Sequence, residues 1–99
     1  MIAQLTGKVV HLETGYLILD VNGVGLGVHV PADLALRIGD QIVLHTHLHV
    51  RESELTLYGF SEPDAKSLFQ LLLGVSGVGP TAAIRVMSTV PPETLRRAI

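Results

Sequence analysis

The pattern of apolar and polar positions divides the chain into a strand-rich first part and a helical second part. Up to residue 60 the apolar residues come in short runs that often alternate with polar ones, which is typical of half-buried β-strands. Five strands are predicted, over residues 2–12 (interrupted at Gly7), 16–21, 24–30, 41–50 and 55–60. Asn22-Gly23 predicts a tight hairpin between the second and third strands, because both residues tolerate a positive φ.

Glycines within the strands and the segments between them predict how the strands are arranged. Gly25 and Gly27 within the third strand favour bulges or sharp coiling, as at the corners of a small barrel. A short helix is predicted over residues 32–38, ended by Gly39. Five short strands with one small helix between the third and fourth indicate a closed barrel of the OB type. The predicted fold class is therefore α+β, with an OB-fold barrel over residues 1–61 and a helical domain over residues 62–99.

After residue 60 the apolar spacing changes to that of helices. Ser61 is the predicted N-cap of the first helix, with Pro63 and Asp64 in its first turn. One buried face is expected at the spacing i, i+3, i+4 and i+7, formed by Ala65, Leu68, Phe69 and Leu72. A second helix is expected from Pro80 to the prolines at 91 and 92. A third is expected to begin at Glu93 and to be cut off at the chain end.

Composition narrows the function classes. The net charge of −2 is divided unevenly: residues 1–61 hold three basic and six acidic residues, and residues 62–99 hold four and three. Any positive field is therefore a local patch. With 47% apolar and 16% charged residues, an oligomer interface is expected. The absence of cysteine excludes disulfides and fits a cytoplasmic protein. We predict neither a membrane span nor a secretory signal.

The segment 75–83 is the strongest candidate for a functional site. An apolar helical run ends at Gly74, a glycine-rich turn follows, and Pro80 opens the next helix. Glycines let a bulky anion approach the backbone, and the free N–H groups of a helix start favour a phosphate. The sequence therefore predicts a helix-hairpin-helix that binds nucleic-acid backbone. The alternative is a plain αα-hairpin that uses the same glycines only to turn.

Other candidate chemistry favours structural readings. His45, His47 and His49 share one strand face and permit a metal site, but a partly exposed barrel face is the preferred interpretation. A metal site would need a further ligand and a partner that orients each ring, and no carboxylate or cysteine pattern nearby supplies them. Tyr58 and Phe60 are expected to pack in the core rather than stack on bases. Since no nucleophile motif or P-loop is present, no catalytic residue, cofactor or metal is predicted.

The segment 51–54, Arg51-Glu52-Ser53-Glu54, is predicted to form the tip of the hairpin between the fourth and fifth strands. Two acids at a hairpin tip usually make only a soluble turn. Beside a duplex-binding module they could also repel phosphates.

Separated blocks along the whole chain resemble the N-terminal half of the RuvA family, the DNA-binding subunits of the bacterial Holliday-junction branch-migration complex. The blocks are Met1-Ile2 with Leu5 and Gly7, Gly23-Val24-Gly25, Thr46-His47 with Val50-Arg51-Glu52, Leu57-Tyr58-Gly59-Phe60, Leu68-Phe69, and Gly77-Val78-Gly79-Pro80. Their order and spacing are far more specific than any one motif.

The resemblance implies a non-enzymatic homotetramer, or an octamer, that holds four-way junction DNA in recombination and repair. It assigns DNA-backbone binding to Gly77, Val78, Gly79, Pro80, Thr81 and Ala82, with Val78 packed between the helices. It assigns an acidic pin at the junction centre to Glu52 and Glu54, while Ser53 stands where a second acid is common. Thr81 stands where the family often has lysine, so weaker binding is expected.

The implied partners are the hexameric ATPase motor RuvB, engaged through a C-terminal domain, and the junction resolvase RuvC. That domain and a second helix-hairpin-helix are not found in residues 1–99. Two alternatives stay open: a structural tetramerisation module whose DNA binding needs the missing half, and a histidine-dependent metal protein.

Overall fold

A computed structural model describes residues 1–90, 94, 95 and 97. Five strands are followed by two helices, and each strand lies close to its predicted position. The strands are β1 (Gln4–Glu13), β2 (Tyr16–Val21), β3 (Val24–His29), β4 (Gln41–Val50) and β5 (Leu55–Phe60). The helices are α1 (Pro63–Leu73) and α2 (Pro80–Thr89).

The strands form a closed barrel in the order β1-β2-β3-β5-β4, with β4 paired back onto β1. Neighbouring strands are antiparallel except β3 and β5, which are parallel over the short stretch that joins Val28 to Leu57. The hairpin at Asn22-Gly23 has the predicted form: both residues have positive φ, 51° and 91°. This OB-like barrel confirms the fold expected from the strand pattern.

The close approach and the irregular pairing within the barrel lie at places that differ from those predicted. β1 runs through Gly7 without interruption, and Gly7 is required because a Cβ there would lie 2.5 Å from the Asp20 carbonyl oxygen of β2. The irregular register lies between Val9 and His11 of β1. The glycines of β3 produce no bulge, since β3 pairs with β2 in continuous register. The predicted break at Gly7 and a bulge of β3 against β2 were therefore wrong, while sharp coiling at Gly25 and Gly27 stays a prediction.

Two hydrophobic clusters organise the interior. The barrel is filled by one cluster of fully or almost fully buried aliphatic residues: Val9, Leu17, Leu19, Val28, Val30, Leu44 and Leu57. A second cluster lies where the outside of the barrel meets the helices and comprises Tyr58, Phe60, Leu68, Phe69, Leu72, Ala83, Met87 and Leu95. Tyr58 and Phe60 thus pack in the core as predicted, and burial removes Phe60 as a base-stacking residue.

The helix predicted over residues 32–38 does not form. The segment 31–40 is irregular and is held by bonds to its surroundings: Gly39 N–H donates to Val9 O (2.8 Å), and Val9 N–H donates to Asp40 O (2.9 Å). Leu34 and Leu36, two residues apart, both pack on the barrel core. An alternating contact of this kind needs an extended backbone, so tertiary packing overrides the weak helical pattern.

The ends of the helices also differ in part from the prediction. α1 begins after Glu62, not Ser61, because Pro63 occupies the first helical turn and fixes its φ there. α2 ends at Thr89. Of the predicted third helix, Thr94 and Leu95 are helical and Leu95 is buried, while Glu93 and the two prolines at 91 and 92 lie outside the described residues.

Candidate phosphate-binding turn and acidic hairpin tip

The glycine-rich turn is positioned by the contact between α1 and the barrel. Phe69 of α1 is fully buried and packs against Phe60 and Tyr58 of β5, with ring centroids 4.9 and 5.2 Å apart. Aromatic pairs at these separations add to the stabilisation that burial gives. The start of the turn is therefore fixed relative to the barrel and not merely to its own helix.

The turn itself needs a glycine at one position. Val78 N–H donates to Val75 O (3.1 Å), which closes a four-residue turn, and Gly77 occupies its third position with φ +83°. A type II turn requires a positive φ at this place, and glycine supplies it without steric cost. Val78 then packs partly buried against the helical cluster. The predicted role of Val78, holding the turn between the helices, is consistent with this packing.

The start of α2 is uncapped and open to solvent. Gly79 is its N-cap in extended conformation (φ −94°, ψ 176°), and no side chain caps the helix. Ala83 N–H donates to Gly79 O (2.9 Å), so the amides of Thr81 and Ala82 are among those that lack an intrahelical acceptor. Both residues are exposed, and a Cβ on Gly79 would meet nothing within 4 Å. This geometry suits an anion, because free amides and the helix dipole act together.

The six residues predicted for this site thus have different places. Gly77 and Val78 shape the turn, Gly79, Thr81 and Ala82 face solvent at the helix start, and Pro80 is buried. Pro80 also has no N–H to donate. In the structure Pro80 starts the helix, and it offers no backbone donor to a ligand.

The predicted acidic hairpin tip lies between β4 and β5. Arg51 N–H donates to Glu54 O (2.9 Å), which closes the loop, and all four residues from 51 to 54 are exposed. Glu52 and Glu54 thus carry solvated carboxylates at the end of the barrel. Val50 and Leu55, which pair across the base of this loop, are 62% and 69% exposed.

The three histidines of β4 lie on the outer barrel face beside α1, as the preferred interpretation had them. His47 contacts the ring edge of Phe69 (5.6 Å between centroids), and the Gln70 side-chain amide donates to its Nδ1 (3.2 Å). Burial lowers the pKa of His47 below its ordinary 6.5, and the positive charges of His49, Lys66 and the N-terminal ammonium lower it further. Among residues 1–90, 94, 95 and 97, no three His, Asp or Glu side chains converge as metal ligands.

Sequence reasoning missed the row of rings that continues across the barrel. His29 of β3 lies between Tyr16 of β2 and Tyr58 of β5, with centroid distances of 5.0 and 5.6 Å. The contact between Tyr16 and His29 could have been predicted from the sequence, since a two-residue turn at Asn22-Gly23 places Tyr16 opposite His29. The parallel pairing of His29 with Tyr58 could not have been predicted in this way, because it depends on closure of the barrel.

The fold and this turn define a class of protein: a small OB-like barrel that carries an appended pair of helices. The family model for the RuvA N terminal domain matches residues 1–59. This chain belongs to that family. In the part of the chain that the structure describes, neither helix has the length and apolarity to cross a membrane.

Curated relatives extend the similarity beyond the barrel. The chain is 47% identical over 102 residues to a "Holliday junction branch migration complex subunit RuvA" from Herpetosiphon aurantiacus, covering 100% of this chain and 52% of the relative. Proteins of the same name from Salinispora tropica and Thermobifida fusca are 48% and 46% identical over 101 residues, each covering 100% of this chain and 50% of the relative. The chain spans about half the length of the curated relatives it matches. The resemblance seen in the sequence is confirmed.

Proposed function

We propose that this chain binds the DNA backbone at four-way (Holliday) junctions, catalyses no reaction itself, and acts as a scaffold for a separate ATP-driven branch-migration motor. The observation that carries the proposal is the uncapped start of α2, presented to solvent by the turn at Gly77. The family membership and the names of the relatives support the junction as the target.

In this proposal α1, the turn and α2 act as a helix-hairpin-helix. The amides of Gly79, Thr81 and Ala82 donate to phosphate oxygens, and the dipole of α2 favours the negative charge. Contacts to phosphates fix the position of the protein on the duplex but carry no base sequence. Selectivity for a junction then has to come from the arrangement of several such turns.

The acidic tip supplies a second element of selectivity. Glu52 and Glu54 are exposed at the end of the barrel, where they repel phosphates that approach them. Placed at the centre of a fourfold assembly, they act as a pin that keeps the four duplex ends apart. The domain roles are accordingly a barrel over residues 1–61 that assembles and a helical part over residues 62–99 that binds DNA.

The tetramer, or an octamer, is supported by exposed apolar side chains. Val24, Ile38, Val50 and Leu55 are each more than half exposed, which is a large apolar surface for so small a barrel. The same observation favours the second candidate function, a structural tetramerisation module without DNA affinity of its own. Light scattering at high protein concentration tests assembly, and a strictly monomeric chain contradicts both candidates.

The partners follow from the same proposal. The relatives are named as subunits of a complex, and we infer that this chain cooperates with the ATPase motor RuvB and the resolvase RuvC. Contact with the motor requires a segment other than residues 1–99. Binding of junction DNA, in contrast, is proposed for residues 1–99 themselves.

The direct test compares a four-way junction with a linear duplex of equal arm length in gel-shift titrations at one stated salt concentration. We expect the junction to bind more tightly. Equal affinity for both DNAs would contradict junction selectivity, and no binding to either by a folded tetramer would leave only the structural module.

The acidic tip is tested in the same assay. The double variant Glu52→Gln and Glu54→Gln is expected to bind the junction about fivefold more tightly, since removal of roughly 1 kcal/mol of repulsion corresponds to that factor. Asp33→Asn, which removes an exposed charge from the loop before β4, is the control and should leave affinity unchanged. Weaker junction binding by the double variant would rule out the pin.

A further inference from the structure

A groove separates α2 from the barrel next to the glycine-rich turn. It has a volume of about 300 Å³ and is lined on the barrel side by residues that include Gly15 and His29. On the helix side the lining includes Thr81, Arg85 and Thr89. We call this cavity the barrel–α2 groove.

Both walls of the barrel–α2 groove are held in place. Ala32 N–H donates to the Ser88 hydroxyl (3.0 Å), which in turn donates to Ile84 O (2.9 Å), so α2 is bonded to the segment that follows β3. His29 on the opposite wall is held between two tyrosine rings at 5.0 and 5.6 Å. These contacts fix α2 and His29 relative to the barrel.

The barrel–α2 groove has a mainly apolar lining, which includes Val30 and Ile84, and carries a few side chains that can bind an anion. Its lining offers the Arg85 guanidinium, the His29 imidazole and the Thr81 hydroxyl as donors, and no Asp or Glu is among the described residues that line it. Arg85 is exposed and forms no salt bridge within the described part of the chain. A guanidinium in this state is available for a bidentate contact with a phosphate.

The groove is continuous with the proposed DNA-binding turn. Thr81 belongs both to the uncapped start of α2 and to the lining of the groove. Arg85 lies four residues further along α2, so the two side chains lie on the same face one turn apart. A phosphate at the helix start would therefore lie within about one helical turn of Arg85.

We propose that the barrel–α2 groove binds a second phosphodiester of the DNA strand held by the turn, with Arg85 as the cationic contact and His29 as a donor from the barrel wall. This inference rests on the proposed function, because the ligand is the same DNA strand. It assigns to Arg85 the phosphate charge contact that Thr81 cannot make. It also makes the barrel part of the DNA-binding surface.

The test is the salt dependence of DNA binding by the 99-residue chain and its Arg85→Gln variant. One lost phosphate contact makes the negative slope of log K against log salt shallower by about 0.9, which corresponds to about tenfold weaker binding at 0.1 M salt. Arg37→Gln is the matched control, because Arg37 is exposed on the loop before β4 and does not line the groove. It should leave the slope unchanged.

A nuclear magnetic resonance titration with a short duplex locates the contact and detects weak binding. In the unmodified chain the signals of Gly15, Arg85 and Gly79 are expected to move. In Arg85→Gln the shift at Gly15 should be lost while that at Gly79 persists.

The outcomes separate the two proposals. If the unmodified chain binds duplex but Arg85→Gln has the same slope and the same shift at Gly15, the groove is not a phosphate site and the proposed function stands. If no signal moves with any DNA, the proposed function fails and the groove proposal with it. A response to inorganic phosphate at matched ionic strength, with none to duplex, also contradicts a DNA contact in the groove.

Discussion

Replacing Gly79 with alanine should separate DNA binding from folding. Gly79 has φ −94° and ψ 176°, which any residue adopts, and an added Cβ meets nothing within 4 Å. Reduced freedom of the unfolded chain stabilises Gly79→Ala by about 0.4–1 kcal/mol. Alanine is a poorer N-cap than glycine by a similar amount, about 0.5–1 kcal/mol. The free energy of unfolding should therefore change by no more than about 0.5 kcal/mol.

The same methyl group should impair DNA binding strongly. It adds a side chain at the N-cap of α2, beside the exposed helix start that a phosphate oxygen approaches in the proposed complex. Loss of one hydrogen bond to a charged group costs about 1.5–3 kcal/mol, which is about tenfold to a hundredfold in affinity.

Gly77→Ala is the comparison variant, because it is expected to lose stability where Gly79→Ala does not. Gly77 has φ +83° and also has open space around it, so alanine there costs about 1–2 kcal/mol through backbone conformation alone. Urea denaturation and duplex binding are measured for both variants. Binding of duplex by Gly79→Ala as tight as by the unmodified chain, or a loss of stability as large as that of Gly77→Ala, would contradict the expected separation of DNA binding from folding.

Two further predictions concern the contact between α1 and the barrel. Leu68→Ala should lower the free energy of unfolding by about 2–5 kcal/mol, whereas Leu71→Ala should change it by less than about 0.5 kcal/mol. The two residues lie on the same helix but are 2% and 54% exposed, so equal losses in denaturation would contradict the described packing. The lowered pKa of His47 means that the unfolded chain takes up its proton first as pH falls. Stability should therefore be constant above about pH 6.5 and decrease below it, and His47→Gln should flatten this decrease. An unchanged pH slope in that variant would show that His47 is not its source.

The strands could be predicted from the sequence because their signals are local. Alternating burial and the turn at Asn22-Gly23 fix both the position of β2 and β3 and their register. The glycine-rich turn was equally readable, since a positive φ at Gly77 and a proline in the first turn of α2 depend on a few neighbouring residues.

The segment 31–40 shows where local signals fail. Its apolar residues fit a short helix in the sequence, but Leu34 and Leu36 both pack, partly buried, against the barrel core from an irregular segment. At the end of this segment Gly39 N–H and Asp40 O bond to Val9 of β1, and Leu34 N–H and Asp40 N–H bond to carbonyls within the segment, so no helix forms. A helix of about seven residues gains too little by itself to resist that competition.

The sequence by itself determined the barrel strands, the two helices and the backbone shape of the glycine-rich turn, because each rests on periodicity or on the backbone preference of a few adjacent residues. The barrel–α2 groove was decided only by tertiary structure. Its two walls include residues more than fifty positions apart, His29 and Arg85, which line one groove because barrel closure places β3 and the bond from Ala32 N–H to the Ser88 hydroxyl ties α2 to the segment after β3. No local sequence pattern predicts the barrel–α2 groove, because the groove depends on packing between distant segments.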